Sequence, residues 1–398
     1  MSSRLIVNSI RHTGASGDAV TLANDGTCTA NITNNLSNRR LTINGNMIIA
    51  QRGTSSTSAG YQTVDRFVAS WSGQDEAPTQ EQVDVASGTT PYTLGFRKAF
   101  KITNGNQTSG VGASDIVYYE HHIEAQDIAN SGWNYTSSSS NITLSFWVKS
   151  SVSQDFKGYL RTADGTSQIY PYSTGTLSAD TWTKVTKTIT GNSNLQFDNN
   201  NESGLQLYLW PYIGTTYTDA GVTENAWTAY ASGTRTPVSA TTWWTTNDAT
   251  IEITGVQLEV GSNSTDYEFR SFGEELTLCH RYYFKLGKLD YISTHLAANH
   301  PYGIGMSDND DQNIYAMINF PVKMRTAPTA LEQSGSASDY QVRRDTTKTC
   351  TGVPTFTNAA ENFSRVNFPR NGHGWGTGQM LWCMSAGSSG YLGFSAEL

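Results

Sequence analysis

Ile251–Phe284 reads IEITGVQLEVGSNSTDYEFRSFGEELTLCHRYYF, and its order of elements decides how the chain is divided. Ile251 and Ile253 alternate to one side. Gly255 interrupts them, and Val256, Leu258 and Val260 continue in the opposite phase. A glycine at a change of phase predicts a β-bulge in a strand that closes one domain. Ser271 and Glu274 have the Ser-x-x-Glu spacing of a capping box ahead of Leu276, Leu278 and Cys279, which predicts a helix. Tyr282 and Tyr283 then open an aromatic strand that belongs to a second domain.

Upstream, from about 46 to 270, the chain alternates strand patterns with polar turns. Ile142, Leu144, Phe146 and Val148 interleave with Thr143, Ser145, Trp147 and Lys149; Leu205, Leu207 and Leu209 interleave with Gln206, Tyr208 and Trp210. Inward aliphatics with outward aromatics and hydroxyls predict a jelly-roll-like β-sandwich with one face available for contacts. Downstream, residues 271–398 carry the helix and a second β-rich domain, where Ile314, Ala316, Ile318 and Phe320 alternate, as do Leu392, Phe394, Ala396 and Leu398. Residues 1–45 hold only short apolar pieces, Leu5 to Ile10 and Ala19 to Leu22, and a hairpin-type Asp25-Gly26 turn. They cannot bury a core alone and need neighbours, for which copies of the same chain are the simplest source. The expected class is all-β.

Composition agrees. Charged residues are 15% against roughly 25% for an average soluble protein, while Gly (36) and Tyr (20) are abundant. A formal net charge of −8 and scattered Lys and Arg argue against a nucleic-acid partner. The opening residues lack the apolar stretch of a signal peptide, and no run of about 18 apolar residues predicts membrane insertion. Cys28, Cys279, Cys350 and Cys383 lie far apart with no paired spacing, so free thiols are expected, with Cys350 and Cys383 the one pair open to a disulfide.

Several segments resemble tail fibre and receptor-binding proteins of phages, especially those infecting marine bacteria and cyanobacteria. They are Gly255 to Gly261, Phe269 to Leu276, Cys279-His-Arg-Tyr-Tyr283, Phe320 to Thr329 and the final Gly393 to Leu398. Ile43 to Met47, Gln51 to Thr54 and Val64 to Phe67 are similar to the start of a carbohydrate-binding-module-like jelly roll. The resemblance implies a virion tail fibre assembled in the host cytoplasm, a homotrimer, docked on other tail proteins through residues 1–45. Its C-terminal domain would form a trimeric tip, and its partner outside the virion would be a host surface polysaccharide or lipopolysaccharide.

Chemistry-bearing motifs are sparse. There is no Gly-x-Ser-x-Gly elbow, phosphate-binding Gly-Lys-Ser/Thr loop or His-Glu-x-x-His helix. Glu120, Glu124 and Asp127 sit near Tyr118, Tyr119 and His121, and Glu224 sits near Trp227, but solvation at the surface explains them without a hydrolytic pair. Asp308-Asn-Asp-Asp311 fails the EF-hand pattern, because Asn313 and Asn319 stand where Gly and Glu are required, and reads as a solvated turn. His121 and His122 point to opposite faces of a strand. No cofactor or metal and no enzymatic activity are therefore expected.

The segment from Tyr212 to Trp244 is aromatic and rich in Thr, with Trp227, Tyr230, Trp243 and Trp244 the candidates for stacking on sugar rings. Packing of a long loop or a subunit interface explains the same rings equally directly. Trp375 and His373, in the glycine-rich run Asn371 to Gly378, are expected in an exposed loop at the tip. The expected function is non-catalytic adhesion to a host glycan. The alternatives are a structural appendage or head decoration, and a polysaccharide depolymerase.

Overall fold

The computed structural model describes residues 7–11, 13–14, 16–24, 26, 28–30, 39–287, 300–387 and 389–398. Three short antiparallel strands come first, Ser9–Ile10, Val20–Leu22 and Cys28–Ala30, with Ile10 and Leu22 exposed. Asp25, the first residue of the expected Asp-Gly turn, lies outside the described residues.

Two six-stranded antiparallel sheets then form the sandwich. The first runs in the order Thr228–Ala229, Gln168–Thr176, Asp155–Thr162, Ser203–Ile213, Ile116–Glu124, Phe67–Ser72. The second runs Thr183–Thr190, Asn141–Ser150, Thr250–Val260, Lys98–Thr103, Thr79–Asp84, Ser55–Ser56. The alternation expected from the sequence places Ile142, Leu144, Phe146 and Val148 of one sheet against Leu205, Leu207 and Leu209 of the other in a single buried core. The class is all-β, as expected.

The bulge is where the sequence puts it. Thr254 pairs with Trp147 and Gln257 with Ser145, so three steps on one strand meet two on its neighbour. Gly255 holds φ +64°, a conformation that a side chain would resist. Turned out of the ladder, the Val256 N–H donates to the Gly45 carbonyl at 2.9 Å. The Leu41 N–H donates to the Leu258 carbonyl at 2.9 Å and the Thr42 hydroxyl to the Val256 carbonyl at 2.7 Å. Residues 40–45 are thereby laid along the strand that closes the sandwich.

The capping box is formed as well: the Ser271 Oγ accepts from the Glu274 N–H, and the Ser271 N–H donates to the Glu274 carboxylate at 2.8 Å. The helix Phe272–His280 leads to the strand Tyr283–Gly287, which pairs with Tyr391–Ser395 and, through it, Leu331–Gln333. A seven-stranded sheet completes this unit in the order Thr347–Thr349, Tyr340–Arg343, Met380–Ser385, Pro301–Ser307, Asn313–Asn319, Phe363–Pro369, Thr355–Ala359. Ile314, Ala316, Ile318, Phe320, Leu392, Phe394 and Ala396 fill its core on the predicted alternation. Cys279, Cys350 and Cys383 are buried free thiols, and burial pushes Cys350 up to about 12.

Between the two units lies a buried polar junction. Arg40 pairs with Glu275, both fully buried, and the Asn44 N–H donates to the same carboxylate. Arg66, also buried, pairs with Glu397, donates to the His122 carbonyl at 2.7 Å and lies 3.5 Å over the Tyr282 ring. Arg52 covers the Tyr283 ring at 3.5 Å. Arg281 holds Glu124 with two bonds of 2.7 Å, and the Tyr282 hydroxyl adds a third. Burial alone would raise the Glu124 pKa, yet these donors pull it below its ordinary value. Arg325 donates to the carbonyls of Ala396, Asn201 and Glu397, so both units meet on one guanidinium.

Candidate functional site

Sugar recognition by aromatic side chains needs a ring face that a ligand can reach. Trp243 and Trp244 do not offer one. They lie on the short helix Thr242–Thr245 and are fully buried in the sandwich core, with Asn104 Nδ2 donating to the Trp244 carbonyl at 2.8 Å and Trp244 packed 5.0 Å from the Tyr212 ring. This corrects the expectation of an exposed pair. The segment is poor in aliphatics, and the tryptophans supply the apolar volume that seals this end of the core.

Trp375 and His373 are corrected in the same way. Glycine content suggested an exposed loop, but Trp375 is 9% exposed and His373 fully buried. Their rings stack at 5.7 Å, Lys348 Nζ lies 4.7 Å over the indole, and the indole N–H donates to Asp345 at 3.2 Å. The His373 Nδ1 lies 3.0 Å from Asp311 Oδ1, which also accepts from the Gly374 N–H at 2.6 Å. Here the glycines bend the chain into the molecule: Gly372 and Gly374 take φ +66° and +70° so that the intervening His373 can turn inward.

Trp227 and Tyr230 are half-buried. The Trp227 indole N–H donates to the Thr190 carbonyl at 2.8 Å and its ring packs 5.3 Å from Tyr170. The guanidinium of Arg161 covers Tyr230 at 3.9 Å. Trp227 packs against the main core, whereas Tyr230 and Tyr217 of the same loop lie over the outer face of the first sheet, where Tyr159, Ile169, Tyr208, Trp210 and Ile213 form a second, separate apolar cluster. The face expected to be available for contacts is thus covered by the protein's own loop. Sequence alternation identifies an outward residue but says nothing about what a distant loop does to it.

The acidic candidates are engaged. The Glu120 carboxylate accepts from the Tyr208 hydroxyl and lies 2.5 Å from His122 Nε2, Glu124 belongs to the junction, and Glu224 accepts from Lys157 at 2.8 Å. Asp310 accepts from the Gln312 and Asn313 N–H groups and so closes its turn. His121 is buried and His122 faces outward, as a strand requires.

The outer face of the second sheet is different. A cleft of about 280 Å³ opens there between the strand Asn141–Ser150 and the segment that follows Val260. Its walls are Trp147 on one side and Phe96, Tyr267 and Phe269 on the other, the last three packed at 4.9–5.1 Å from one another. Phe269 is 47% exposed. Among the described residues no cation or ring stacks on Trp147. Gly255 forms the floor: a Cβ there would meet Phe96 at 2.7 Å and Trp147 at 3.3 Å, so the bulge glycine keeps the cleft open. Lys184 stands directly across the ladder from Trp147, and Thr265 and Asp266 line the rim.

Trp147 was visible in the sequence as an outward residue, and Gly255 as a bulge. What joins them is their cross-strand register, in which Trp147 faces Thr254. Such a pairing between residues about a hundred positions apart leaves no local signal.

No protein-family model matches the chain, and no curated protein matches it. Among solved structures, a putative sugar binding protein from Bacteroides thetaiotaomicron superposes with a TM-score of 0.29 at 11% identity, over 56% of this chain and 99% of that one. The N-terminal cellulose-binding domain of Cellulomonas fimi β-1,4-glucanase C gives 0.27 at 11%, over 54% and 99%. The enzymatically active domain of tailspike protein 4 from bacteriophage CBA120 gives 0.28 at 11%, over 52% of this chain but only 21% of that one. Superpositions this loose identify no family and assign no ligand.

Proposed function

We propose that the protein is a non-catalytic adhesin that binds a glycan in the cleft between Trp147 and Phe269. The observation that carries this reading is the cleft itself: the half-buried Trp147 facing the exposed Phe269 across a glycine floor, with polar groups on the rim. Rings of this kind take the C–H face of a sugar, and Lys184, Thr265 and Asp266 supply partners for its hydroxyls. A sparsely charged surface relies on such stacking and neutral hydrogen bonds for its affinity.

In the same reading the chain is a phage tail fibre protein, located on the virion and assembled as a homotrimer, with a host surface polysaccharide as its ligand. Weak single sites repeated around an axis would then act together on a repetitive glycan. The resemblance of the segments around Gly255, Arg281 and Arg325 to phage receptor-binding proteins motivates the assignment.

The test is a glycan array probed with the wild-type chain and with Trp147→Ala, followed by titration of the best binder. The expected result is selective binding that falls at least tenfold in the variant while the melting temperature changes little. Equal binding by the variant, or no binding by the wild type, overturns the reading. Release of reducing ends from the bound polysaccharide would make the protein a depolymerase instead.

A further inference from the structure

The seven-stranded C-terminal sheet buries one face and leaves the other open. On the open face Ile304, Met306, Met317, Met380 and Trp382 are each between 46% and 64% exposed. They are neighbours: Ile304 pairs with Trp382 and Met306 with Met380 across one ladder, and Met306 pairs with Tyr315 across the next. Arginines flank them, with Arg343 opposite Trp382 and Arg365 opposite Met317 and 3.8 Å over the Tyr315 ring. Met, Trp, Tyr and Arg are the residues enriched in protein interfaces, whereas Lys and Glu are depleted there.

We infer that this face is where copies of the chain associate, with Ile304, Met306, Met317, Met380 and Trp382 at the centre of the contact. Five large side chains about half exposed present on the order of 500 Å² of apolar surface, at the upper end of what a monomer leaves open. With the arginine rim the face approaches the roughly 800 Å² per partner of a stable interface.

Two features favour a second copy over an unrelated protein. Both signs of charge lie on one surface, since Asp308 and Asp310 sit at the hairpin tip that ends two of the patch strands while Arg343 and Arg365 sit on its flanks. A copy turned relative to the first sets the acidic tip of one chain against an arginine of the next. In addition, the N-terminal strands expose Ile10 and Leu22 far along the same chain. Copies associating side by side cover both surfaces with one set of sequences, whereas a foreign partner would have to match each separately. The inference locates the assembly invoked in the proposed function and does not depend on the glycan cleft.

The test is light scattering of the full chain, wild type and Met306→Glu with Trp382→Ser. The wild type is expected to show a multiple of the chain mass and the double variant the mass of one chain, with circular dichroism unchanged. A monomeric wild type overturns both the inference and the assembly reading. A variant that keeps the wild-type mass overturns the inference alone. If the double variant misfolds, Met380→Cys treated with a short bis-maleimide decides: covalent dimers beyond any that the wild type forms under the same treatment are expected, and their absence places the contact elsewhere. Binding of glycan per chain, measured in parallel, reports on the cleft independently.

Discussion

The junction between the two units and the cleft on the second sheet are both built from aromatic rings and charged side chains, yet they are opposites. At the junction every ring is occupied: Arg52 lies over Tyr283 and Arg66 over Tyr282, both at 3.5 Å, and the hydroxyls of both tyrosines donate to carboxylates. At the cleft Tyr267 carries Arg40 at 5.0 Å over its ring, but Trp147 has no cation over it among the described residues and Phe269 is half exposed. The contrast supplies a criterion that composition alone lacks. A ring whose face is filled by the protein holds the structure together; a ring whose face is open is available to a ligand. Trp375 under Lys348 and Tyr230 under Arg161 fall on the first side.

The strongest way to break the comparison is to empty the junction. Arg66→Ala leaves the buried Glu397 with only its longer, 3.4 Å contact to Arg52 and removes the cover from Tyr282. Removing one partner of a buried pair costs about 3–5 kcal/mol, because the remaining charge has been taken out of water. Denaturant unfolding should show a loss of this size, or separate transitions for the sandwich and the C-terminal unit. Trp147→Ala, on the open side, should cost about 1 kcal/mol or less. Equal losses from the two variants would remove the distinction between filled and open rings.

How much of this was legible follows from distance along the chain. The Gly255 bulge, the Ser271 cap and the inward alternations of both cores are local patterns, and each is read from a handful of adjacent residues. The junction is not local. Arg40 and Glu275, Glu124 and Arg281, and Arg66 and Glu397 are paired across 235, 157 and 331 positions. In the sequence these are ordinary charged residues. The candidate site failed for a related reason. Aromatic density marked the segment from Tyr212 to Trp244, but density cannot distinguish rings that seal a core, as Trp243 and Trp244 do, from rings that cover a sheet, as Tyr230 does. At Trp375 glycine content points to exposure, whereas the positive φ of Gly372 and Gly374 turns His373 inward.

A change of pH probes the buried side of the comparison more gently. Burial holds the His121 pKa well below its ordinary value, aided by the nearby Arg66 charge, and burial lowers His280 to about 4. Both imidazoles are neutral in the native protein, so below about pH 6.5 the unfolded chain takes up two protons that the native state refuses, and stability falls. Asp65 works the other way: burial raises it to about 6 against the pull of Arg52, so the native state takes up one proton between about pH 6 and 4 that the unfolded chain refuses. These two histidines outweigh this carboxylate, so stability is expected to be lower at pH 5 than at pH 7. Thermal melts across this range should record the fall, and His280→Gln should flatten it. A protein that becomes more stable on acidification would show that the histidines are not held neutral.

The smallest effect is the most direct test of the criterion. Tyr230 lies in the segment that composition favours for sugar stacking, and it is half-buried, but Arg161 occupies its face at 3.9 Å. A cation over a partly exposed ring contributes about 0.5–1 kcal/mol, so Tyr230→Ala should lower stability by about that amount. Its effect on glycan binding should be nil, since a sugar would have to displace the guanidinium before it could stack. Trp147→Ala gives the reverse pattern, with similar stability and lost binding. Measuring both variants against the same glycan therefore separates two accounts that composition leaves equal. If Tyr230→Ala loses affinity and Trp147→Ala keeps it, Arg161 moves aside for the ligand, the filled ring is the working one, and the binding face is the covered outer face of the first sheet.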